Sequence, residues 1–241
     1  MRTIRRPPEG GVGVGAIGGP DMRVLVAFER SGVVRRAFAA RGHEAWSVDT
    51  QPAADGSAFH VEAPLDDDDG PEGLIDAGAW DLIIAHPPCT YLCSSGLHWN
   101  RRDPSRGAKT QAALDLVRWI LDTPQRYALR GHAPVRVALE NPVGAIGTQI
   151  RPADQYIQPY EFGEDASKRT GLWLVGLPRL IPTCRVPGRL VTDPRTGRTV
   201  ERWANQTDSG QNRLGPSPDR ADRRAETYPG IAAAMAAQWG A

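Results

Sequence analysis

Short apolar runs recur along much of the chain and predict the strands of a sheet. They lie at residues 23–28, 44–48, 80–85, 135–139 and 172–175. Apolar residues at helical spacing predict a helix after the first run, closed by Gly42, and a longer helix over 106–121. An alanine-rich stretch over 230–239 predicts a final helix. Strand, helix and strand within about 30 residues form a βαβ unit. We therefore expect an α/β fold with a mostly parallel, open sheet flanked by helices.

Local composition divides the chain into four segments. Residues 1–21 are rich in glycine and proline and predict a disordered leader. Their glycines do not predict a phosphate-binding loop, because no strand precedes them. Residues 22–184 form the predicted main domain, 185–224 a small polar insertion, and 225–241 a helix that completes the main domain.

Charge is concentrated in the insertion. The whole chain has 29 basic and 28 acidic residues, a formal charge of +1, so any nucleic-acid surface must be a local patch. Residues 185–224 hold nine arginines against five acidic residues. Turn residues around Asp193 and Gly197 predict a small basic β-hairpin over 189–202. We expect this hairpin to contact DNA phosphates, the alternative being a solvated surface ribbon.

Cysteine content and hydropathy narrow the class of protein. Three cysteines without paired spacing argue against a secreted disulfide framework. No apolar run reaches the ~20 residues that span a bilayer, so we expect a cytoplasmic monomer without a membrane partner. A zinc site is an alternative use of the cysteines and histidines, but their spacing does not match paired Cys-x2-Cys ligands, so no metal is predicted. The residues concerned are His86, Cys89, Cys93, His98 and Cys184.

Chemically active side chains lie where the predicted strands end, and ligands of open parallel sheets bind beyond those ends. Phe28, Asp49, Cys89 and Glu140 are the residues in question. Cys89 follows two prolines, a stiff backbone that suits a nucleophile, although a single cysteine is commonly structural. Burial at the end of an apolar strand is expected to raise the pKa of Glu140 and suit it to act as a general acid.

Pro87-Pro88-Cys89 and Glu140-Asn141-Pro142 resemble the two signature motifs of the cytosine-C5 DNA methyltransferases, a Pro-Cys nucleophile and a Glu-Asn-Val acid. The likeness extends along most of the chain and is greatest to a compact subgroup common in bacteriophages. It implies a Rossmann-like class I methyltransferase fold, S-adenosyl-L-methionine as cofactor and double-stranded DNA as partner. The segment 22–184 is then the catalytic domain and 185–224 the target-recognition segment.

The resemblance also assigns roles to individual residues. Cys89, Glu140 and Arg169 would be catalytic, with Arg169 on the carbonyl oxygen of the base and Lys168 as second choice. The cofactor would contact Phe28, Glu29, Ser31, Gly32, Asp49 and Pro87. The DNA would contact Pro88, Ser94, Ser95, Asn141 and Lys168. The chain departs from the family pattern in three places. The cofactor loop keeps only Gly32, and Pro142 replaces the Val of Glu-Asn-Val. Pro64 stands where an adenine-binding aspartate is expected, with Asp66 or Asp67 as substitutes.

In the implied reaction, a Cys89 thiolate adds to carbon 6 of a flipped-out cytosine while Glu140 protonates nitrogen 3, and carbon 5 accepts a methyl group. Three alternatives stay open. The same residues would act equally on cytosine in tRNA. A non-catalytic DNA-binding relative would keep the fold without turnover. A modified cofactor would transfer a group bulkier than methyl.

Overall fold

The computed structural model describes residues 22–64, 70–77, 80–97, 100, 102–103, 105–215 and 227–241. The predicted leader, the alternative adenine-binding positions Asp66 and Asp67, and His98 lie outside the described residues. So does the part of the predicted insertion that runs from 216 to 224.

A seven-stranded sheet forms the centre of the described chain. Its strands are β1 Arg23–Ala27, β2 Glu44–Asp49, β3 His60–Glu62, β4 Leu82–Ala85, β5 Arg136–Pro142, β6 Gln155–Ile157 and β7 Thr170–Val175. They are ordered β3-β2-β1-β4-β5-β7-β6. Strands β1 to β5 run parallel, whereas β7 is antiparallel to both β5 and β6. The predicted α/β class and mostly parallel sheet are confirmed, and the arrangement is compatible with a Rossmann-like fold.

Helices flank the sheet. They are α1 Val33–Ala39, α2 Pro71–Asp76, α3 Ser94–Leu97, α4 Ser105–Leu121, α5 Thr123–Leu129, α6 Ala145–Gln149 and α7 Pro229–Trp239. Single turns of 3-10 helix follow β4 and β6, at Cys89–Tyr91 and Pro159–Glu161.

Alternate residues of each central strand enter two different cores, because successive side chains point to opposite faces of a sheet. Val24 and Val26 pack with α1 and α7 in one core. Leu25 and Ala27 join the other core, which includes apolar residues of α2, α4 and α5. Burial on both faces explains why these strands appear as continuous apolar runs rather than alternating ones.

Two element boundaries differ from the sequence-based expectation. Helix α1 ends at Ala39, before Gly42, which has φ 91° in the turn that leads to β2. Strand β5 runs on to Pro142 instead of ending at 139, because β7 provides it with partners as far as Thr170. The second difference places Glu140 inside a strand rather than beyond its end.

The predicted basic hairpin is present as an antiparallel pair, β8 Arg189–Thr192 and β9 Thr199–Arg202. Most of its residues are exposed or half-buried, and Leu190 is 74% exposed. In the described part of the chain, no helix combines the length and the apolar character that crossing a membrane requires.

Candidate active site at the ends of β4 and β5

The site arises because β4 and β5 differ in length. The two strands pair in parallel as far as Ala85 and Leu139, where β4 ends. Strand β5 continues to Pro142 with β7 as its strand partner. The chain leaving β4 crosses the edge of β5 that β4 no longer covers, which brings the predicted nucleophile loop to the predicted acid.

Hydrogen bonds hold this loop against β5 at two places. The Asn141 side-chain amide, 1% exposed as a residue, donates to the Pro87 carbonyl oxygen at 2.8 Å. Farther along, the Ala145 N–H donates to the Leu92 carbonyl oxygen at 2.7 Å, and the Ser94 N–H donates to the Val143 carbonyl oxygen at 3.0 Å. Cys89 lies between the two attachments and is therefore held on both sides.

Gly144 allows the second attachment. A Cβ atom at this position would lie 1.9 Å from the Leu92 carbonyl oxygen and 2.8 Å from the Cys93 Cα. Residue 144 therefore has no room for a side chain while the loop stays against β5.

Cys89 begins the 3-10 turn that follows Pro88, and its carbonyl oxygen accepts N–H bonds from Leu92 and Cys93 at 3.0 and 2.9 Å. A hydrogen bond with Cys93, burial, and the negative charge of Glu140 raise the pKa of the Cys89 thiol far above its usual range, against the opposing charge of Lys168. The sulfur therefore keeps its proton near neutral pH in the free protein. Loss of that proton must accompany attack on a substrate.

The Glu140 carboxyl group is only 12% exposed and lies 3.5 Å from His86 Nδ1, measured to Oε2. Burial acts to raise its pKa, but the His86 hydrogen bond, the charges of Lys168 and His86, and a hydrogen bond with Thr170 outweigh burial and hold the pKa below its usual range. The expected raised pKa is thus wrong for the free protein. The sequence pattern indicated the burial but not the positive groups that the fold brings to the carboxylate.

The pair therefore rests as a thiol beside a carboxylate, with the proton on sulfur. The reactive form that the sequence predicts is the reverse, a thiolate beside a carboxylic acid. Both forms hold the same number of protons, so transfer of one proton from Cys89 towards Glu140 converts one into the other.

The turn between β1 and α1 forms the neighbouring wall. Phe28 has φ 61°, the only positive value among the described non-glycine residues, and strained backbone of this kind is found at binding sites. The buried Glu29 carboxylate accepts N–H bonds from Val34 at 2.6 Å and Arg35 at 3.3 Å, capping α1. Its side chain is thus engaged by the helix rather than directed to a ligand. Ser31 and Gly32 start the same helix, with the Ser31 hydroxyl accepting the Val33 N–H.

Asp49 ends β2 next to this turn, since the Phe28 N–H donates to the Val48 carbonyl oxygen at 2.8 Å. The Asp49 Oδ1 atom accepts bonds from the Gln51 N–H and the Thr50 hydroxyl. Its Oδ2 atom has no hydrogen-bond partner in the described part of the chain. Burial raises the pKa of Asp49, partly offset by the Gln51 N–H. One carboxylate oxygen is therefore available to a ligand's hydroxyl groups.

Lys168 and Arg169 take different directions from the loop before β7. The Arg169 guanidinium lies over the Tyr156 ring, 4.2 Å from its centroid, and is exposed. The Lys168 charge acts on both Cys89 and Glu140. The charge of Lys168, the second choice, thus acts on the candidate pair Cys89 and Glu140, whereas Arg169, the first choice, lies on an aromatic ring.

The predicted DNA contacts near Cys89 are partly engaged within the protein. The Ser94 hydroxyl donates to the Val143 carbonyl oxygen at 2.9 Å, and the Ser95 hydroxyl lies 3.2 Å from Cys93 Sγ. Both serines and Pro88 are exposed, whereas Pro87 is buried. Pro87 serves the site through its carbonyl oxygen, which anchors the loop.

The insertion is attached to the same loop that carries Lys168. Asn205 exchanges two hydrogen bonds with the Ser167 backbone, each 2.9 Å long. The Ala204 N–H donates to Asp165 Oδ1 at 2.9 Å, and Trp203 stacks on Tyr160 with ring centroids 3.8 Å apart. The hairpin is therefore joined firmly to the edge of the site.

Its arginines fall into two groups. Arg185 pairs with Glu201 at 2.5 Å, and Arg189 pairs with Asp208 at 2.5 Å. Arg195 and Arg198, at the hairpin turn, are exposed and have no side-chain partner among the described residues. The tip thus presents two exposed arginines without side-chain partners in the described part of the insertion.

Sequence reasoning missed the roles of His86, Gly144 and Asn205. His86 directly precedes the double proline, and the sequence pattern indicated it only as one ligand of the alternative zinc site. Gly144 and Asn205 act through contacts between segments distant in the chain, which local patterns do not report. Among the described residues, no three His, Cys, Asp or Glu side chains converge as metal ligands.

No protein-family model matches this chain, and a search of curated proteins finds no significant match.

Gly144→Ala is expected to lower the free energy of unfolding by about 1–3 kcal/mol, because the added methyl group overlaps the Leu92 carbonyl oxygen. Gly147→Ala in α6 is the control, since a Cβ there meets only the Tyr156 hydroxyl, at 3.7 Å, and alanine favours a helix. Chemical denaturation measures both. Equal stability of the two variants would contradict the close approach.

Alkylation of Cys89 by iodoacetamide is expected to be slow near pH 7 and to accelerate with pH throughout the alkaline range, because the thiolate is the nucleophile. Glu140→Gln should speed the reaction, since it removes a negative charge that raises the thiol pKa. Peptide mass spectrometry follows Cys89, with exposed Cys184 as the internal reference. The raised pKa would be refuted by a Cys89 that reacts as fast as Cys184 near neutral pH.

Proposed function

We propose that this protein is a DNA cytosine-C5 methyltransferase that uses S-adenosyl-L-methionine. The observation that carries the proposal is the junction of β4 and β5, where Asn141 holds the Pro-Pro-Cys loop against the strand bearing Glu140. Cys89 and Glu140 lie within electrostatic reach of each other there. A held thiol and a buried carboxyl group are the nucleophile and acid that methyl transfer to carbon 5 of cytosine requires.

The sheet supports the same proposal. Its five parallel strands, flanked by helices, are compatible with the Rossmann-like fold that the resemblance implies. The resemblance of the Pro-Pro-Cys and Glu-Asn-Pro motifs to those of the family indicates cytosine in DNA as the substrate. That resemblance requires the two motifs to lie at adjacent strands, as they do here.

A cofactor fits the crevice beside β1 and β4. The order of the strands reverses between these two neighbours, and ligands of open α/β sheets bind at such a point. The strained turn at Phe28 lies at this crevice, and the Asp49 Oδ2 atom offers an acceptor for ribose hydroxyls. Bound there, S-adenosyl-L-methionine supplies a methyl group on a sulfonium sulfur.

In the proposed reaction, the Cys89 sulfur bonds to carbon 6 of the cytosine and gives up its thiol proton as the bond forms. Glu140, anionic in the free protein, takes up one proton and delivers it to nitrogen 3, so that negative charge does not accumulate on the ring. Carbon 5 gains the methyl group that the cofactor would supply, whose sulfonium sulfur would be left as a neutral thioether. Solvent water takes the proton that carbon 5 then loses. The bond between carbon 6 and sulfur breaks, and the proton on nitrogen 3 returns through Glu140 to the Cys89 sulfur. Lys168 supplies positive charge beside both groups and is our candidate for the base carbonyl oxygen.

The insertion provides the DNA contact in this proposal. A cytosine inside a duplex must leave the base stack to reach Cys89, so the protein has to hold the flanking backbone. Arg195 and Arg198 at the hairpin tip are suited to phosphates. The segment that carries them is bonded to the loop that carries Lys168, beside the pair that would receive the base.

Purified protein incubated with S-adenosyl-L-methionine and mixed-sequence duplex DNA is expected to form 5-methylcytosine, detected by nucleoside mass spectrometry. Cys89→Ser should abolish the product and leave DNA affinity about unchanged. Glu140→Gln should slow turnover about 100-fold or more, because an amide does not donate a proton as an acid does. Cys184→Ser, at an exposed thiol, is the control and should remain active.

Any other result of this experiment would change one specific part of the proposal. Product on tRNA but not on DNA would replace the substrate and keep the catalytic pair. A mass increase larger than methyl would replace the cofactor. Near-normal turnover by Cys89→Ser would exclude the covalent mechanism, and no product with either nucleic acid would favour a non-catalytic binding protein.

Arg195→Gln with Arg198→Gln is expected to weaken DNA binding about tenfold and to lower the slope of log affinity against log salt by about 2, because two phosphate contacts are lost. Arg41→Gln with Arg179→Gln removes the same charge from exposed positions in the turn before β2 and in the loop after β7, at the opposite ends of the strands from the site. Fluorescence anisotropy at a series of salt concentrations measures the DNA affinity of both double variants. Equal slopes for the two double variants would remove the hairpin tip from the interface.

A further inference from the structure

His86 lies between the two walls of the candidate site. Its backbone N–H donates to the Ala27 carbonyl oxygen at 3.0 Å, which extends the β1–β4 ladder by one residue. Its side chain is 9% exposed, and Nδ1 lies 3.5 Å from Glu140 Oε2. The imidazole is thus fixed by a short strand extension and directed to the carboxyl group that the mechanism uses.

A second buried carboxyl group faces His86 from the β1–α1 turn. Glu29 is 4% exposed, and the charge of His86 acts on it. The His86 Nε2 atom is buried and has no hydrogen-bond partner within the described ranges. A buried polar atom without a partner is costly, which indicates that the imidazole is kept for its interactions with the carboxyl groups rather than for filling space.

We infer that His86 is the positioning residue for Glu140: Nδ1 holds the Oε2 oxygen, so that Oε1 is presented to the base. This inference rests on the proposed function, in which Glu140 is the acid. Neither motif of the family resemblance includes the residue at 86, and nothing in the reaction as described above depends on it.

The charges around His86 support the same positioning role. The charged groups around the imidazole are Glu29 on the β1–α1 turn and Glu140 on β5, with Lys168 on the far side of Glu140. The Cys89 thiol is the further titratable group, on the loop of His86 itself. Without His86, burial would act on Glu140 with fewer opposing groups, and the resting proton would shift from sulfur towards the carboxylate.

The test uses the full chain with His86→Leu, which removes the hydrogen bond and the charge, and His86→Asn, whose amide lies near the position of Nδ1. The first readout needs no turnover. Carbon-13 NMR follows the titration of the Glu140 carboxyl group, identified by its loss in Glu140→Gln. The midpoint is expected to move upward by about one pH unit or more in His86→Leu and by less in His86→Asn.

The second readout is methyl transfer to duplex DNA. We expect kcat to fall about tenfold or more in His86→Leu, with KM for DNA and cofactor within about threefold, because a mispositioned acid affects the chemical step. The acid limb of the pH profile should move to higher pH, as the Glu140 midpoint does. His86→Asn should restore most of kcat. His132→Asn, at a ring that packs on Tyr127, is the matched control and should behave as wild type.

The outcomes separate this inference from the proposed function. If the titration midpoint of Glu140 stays at its wild-type value in either folded His86 variant, the positioning role is overturned. It is also overturned if both variants lose the same amount of kcat and the pH profile does not move. If His86→Leu does not fold, the Asn variant alone decides through the same midpoint. A moved midpoint in a wild-type protein that makes no 5-methylcytosine would keep the His86–Glu140 link and reject the methyltransferase.

Discussion

The unequal length of β4 and β5 is the constraint on which the candidate site depends. Strand β5 extends beyond its parallel partner, and the edge that this exposes is closed not by another strand but by the loop bearing Cys89. Asn141 fixes that loop by bonding the Pro87 carbonyl oxygen, and Gly144 lets it return to β5 after one helical turn. The nucleophile is consequently positioned by the same backbone that carries the acid, so its placement does not depend on a flexible connection.

Burial and charge act in opposite directions at this junction, and charge prevails at Glu140. Two unit charges about 5 Å apart interact by about 3 kcal/mol at an effective dielectric constant of about 20, which corresponds to a displacement of about two pH units in a titration. At Glu140 the hydrogen bond from His86 and the charge of Lys168 together outweigh the desolvation of the buried carboxyl group. At Glu29, burial outweighs the charges of His86 and Arg35 and the N–H bonds of Val34 and Arg35, and the pKa is raised. Glu29 and Glu140, which both interact with the His86 imidazole, thus have pKa values shifted in opposite directions.

The sequence predicted those features that local patterns determine. Apolar runs located five strands of the sheet, and turn residues located the β8–β9 hairpin. Short elements such as β3 and α6 were missed, because a few residues do not establish a period. The extension of β5 was missed because it depends on pairing with a strand thirty residues away. The expected pKa of Glu140 was wrong, and the contact of Arg169 with Tyr156 was not foreseen, for a related reason: side-chain direction and charged neighbours come from tertiary structure.

The attachment of the insertion has a consequence for modularity. Residues 185–215 contact the main domain through several anchors: the Tyr160–Trp203 stack, the Val186 N–H on the Tyr160 carbonyl oxygen, the Ala204 N–H on the Asp165 side chain, and the two bonds between Asn205 and the Ser167 backbone. Those anchors are separate from the exposed turn at 193–198. The turn is therefore free to diverge in sequence and length while the anchors stay constant. Transplanting the tip alone, within β8 and β9, would leave the catalytic junction undisturbed, whereas moving the whole segment would require Tyr160, Asp165 and Ser167 to travel with it.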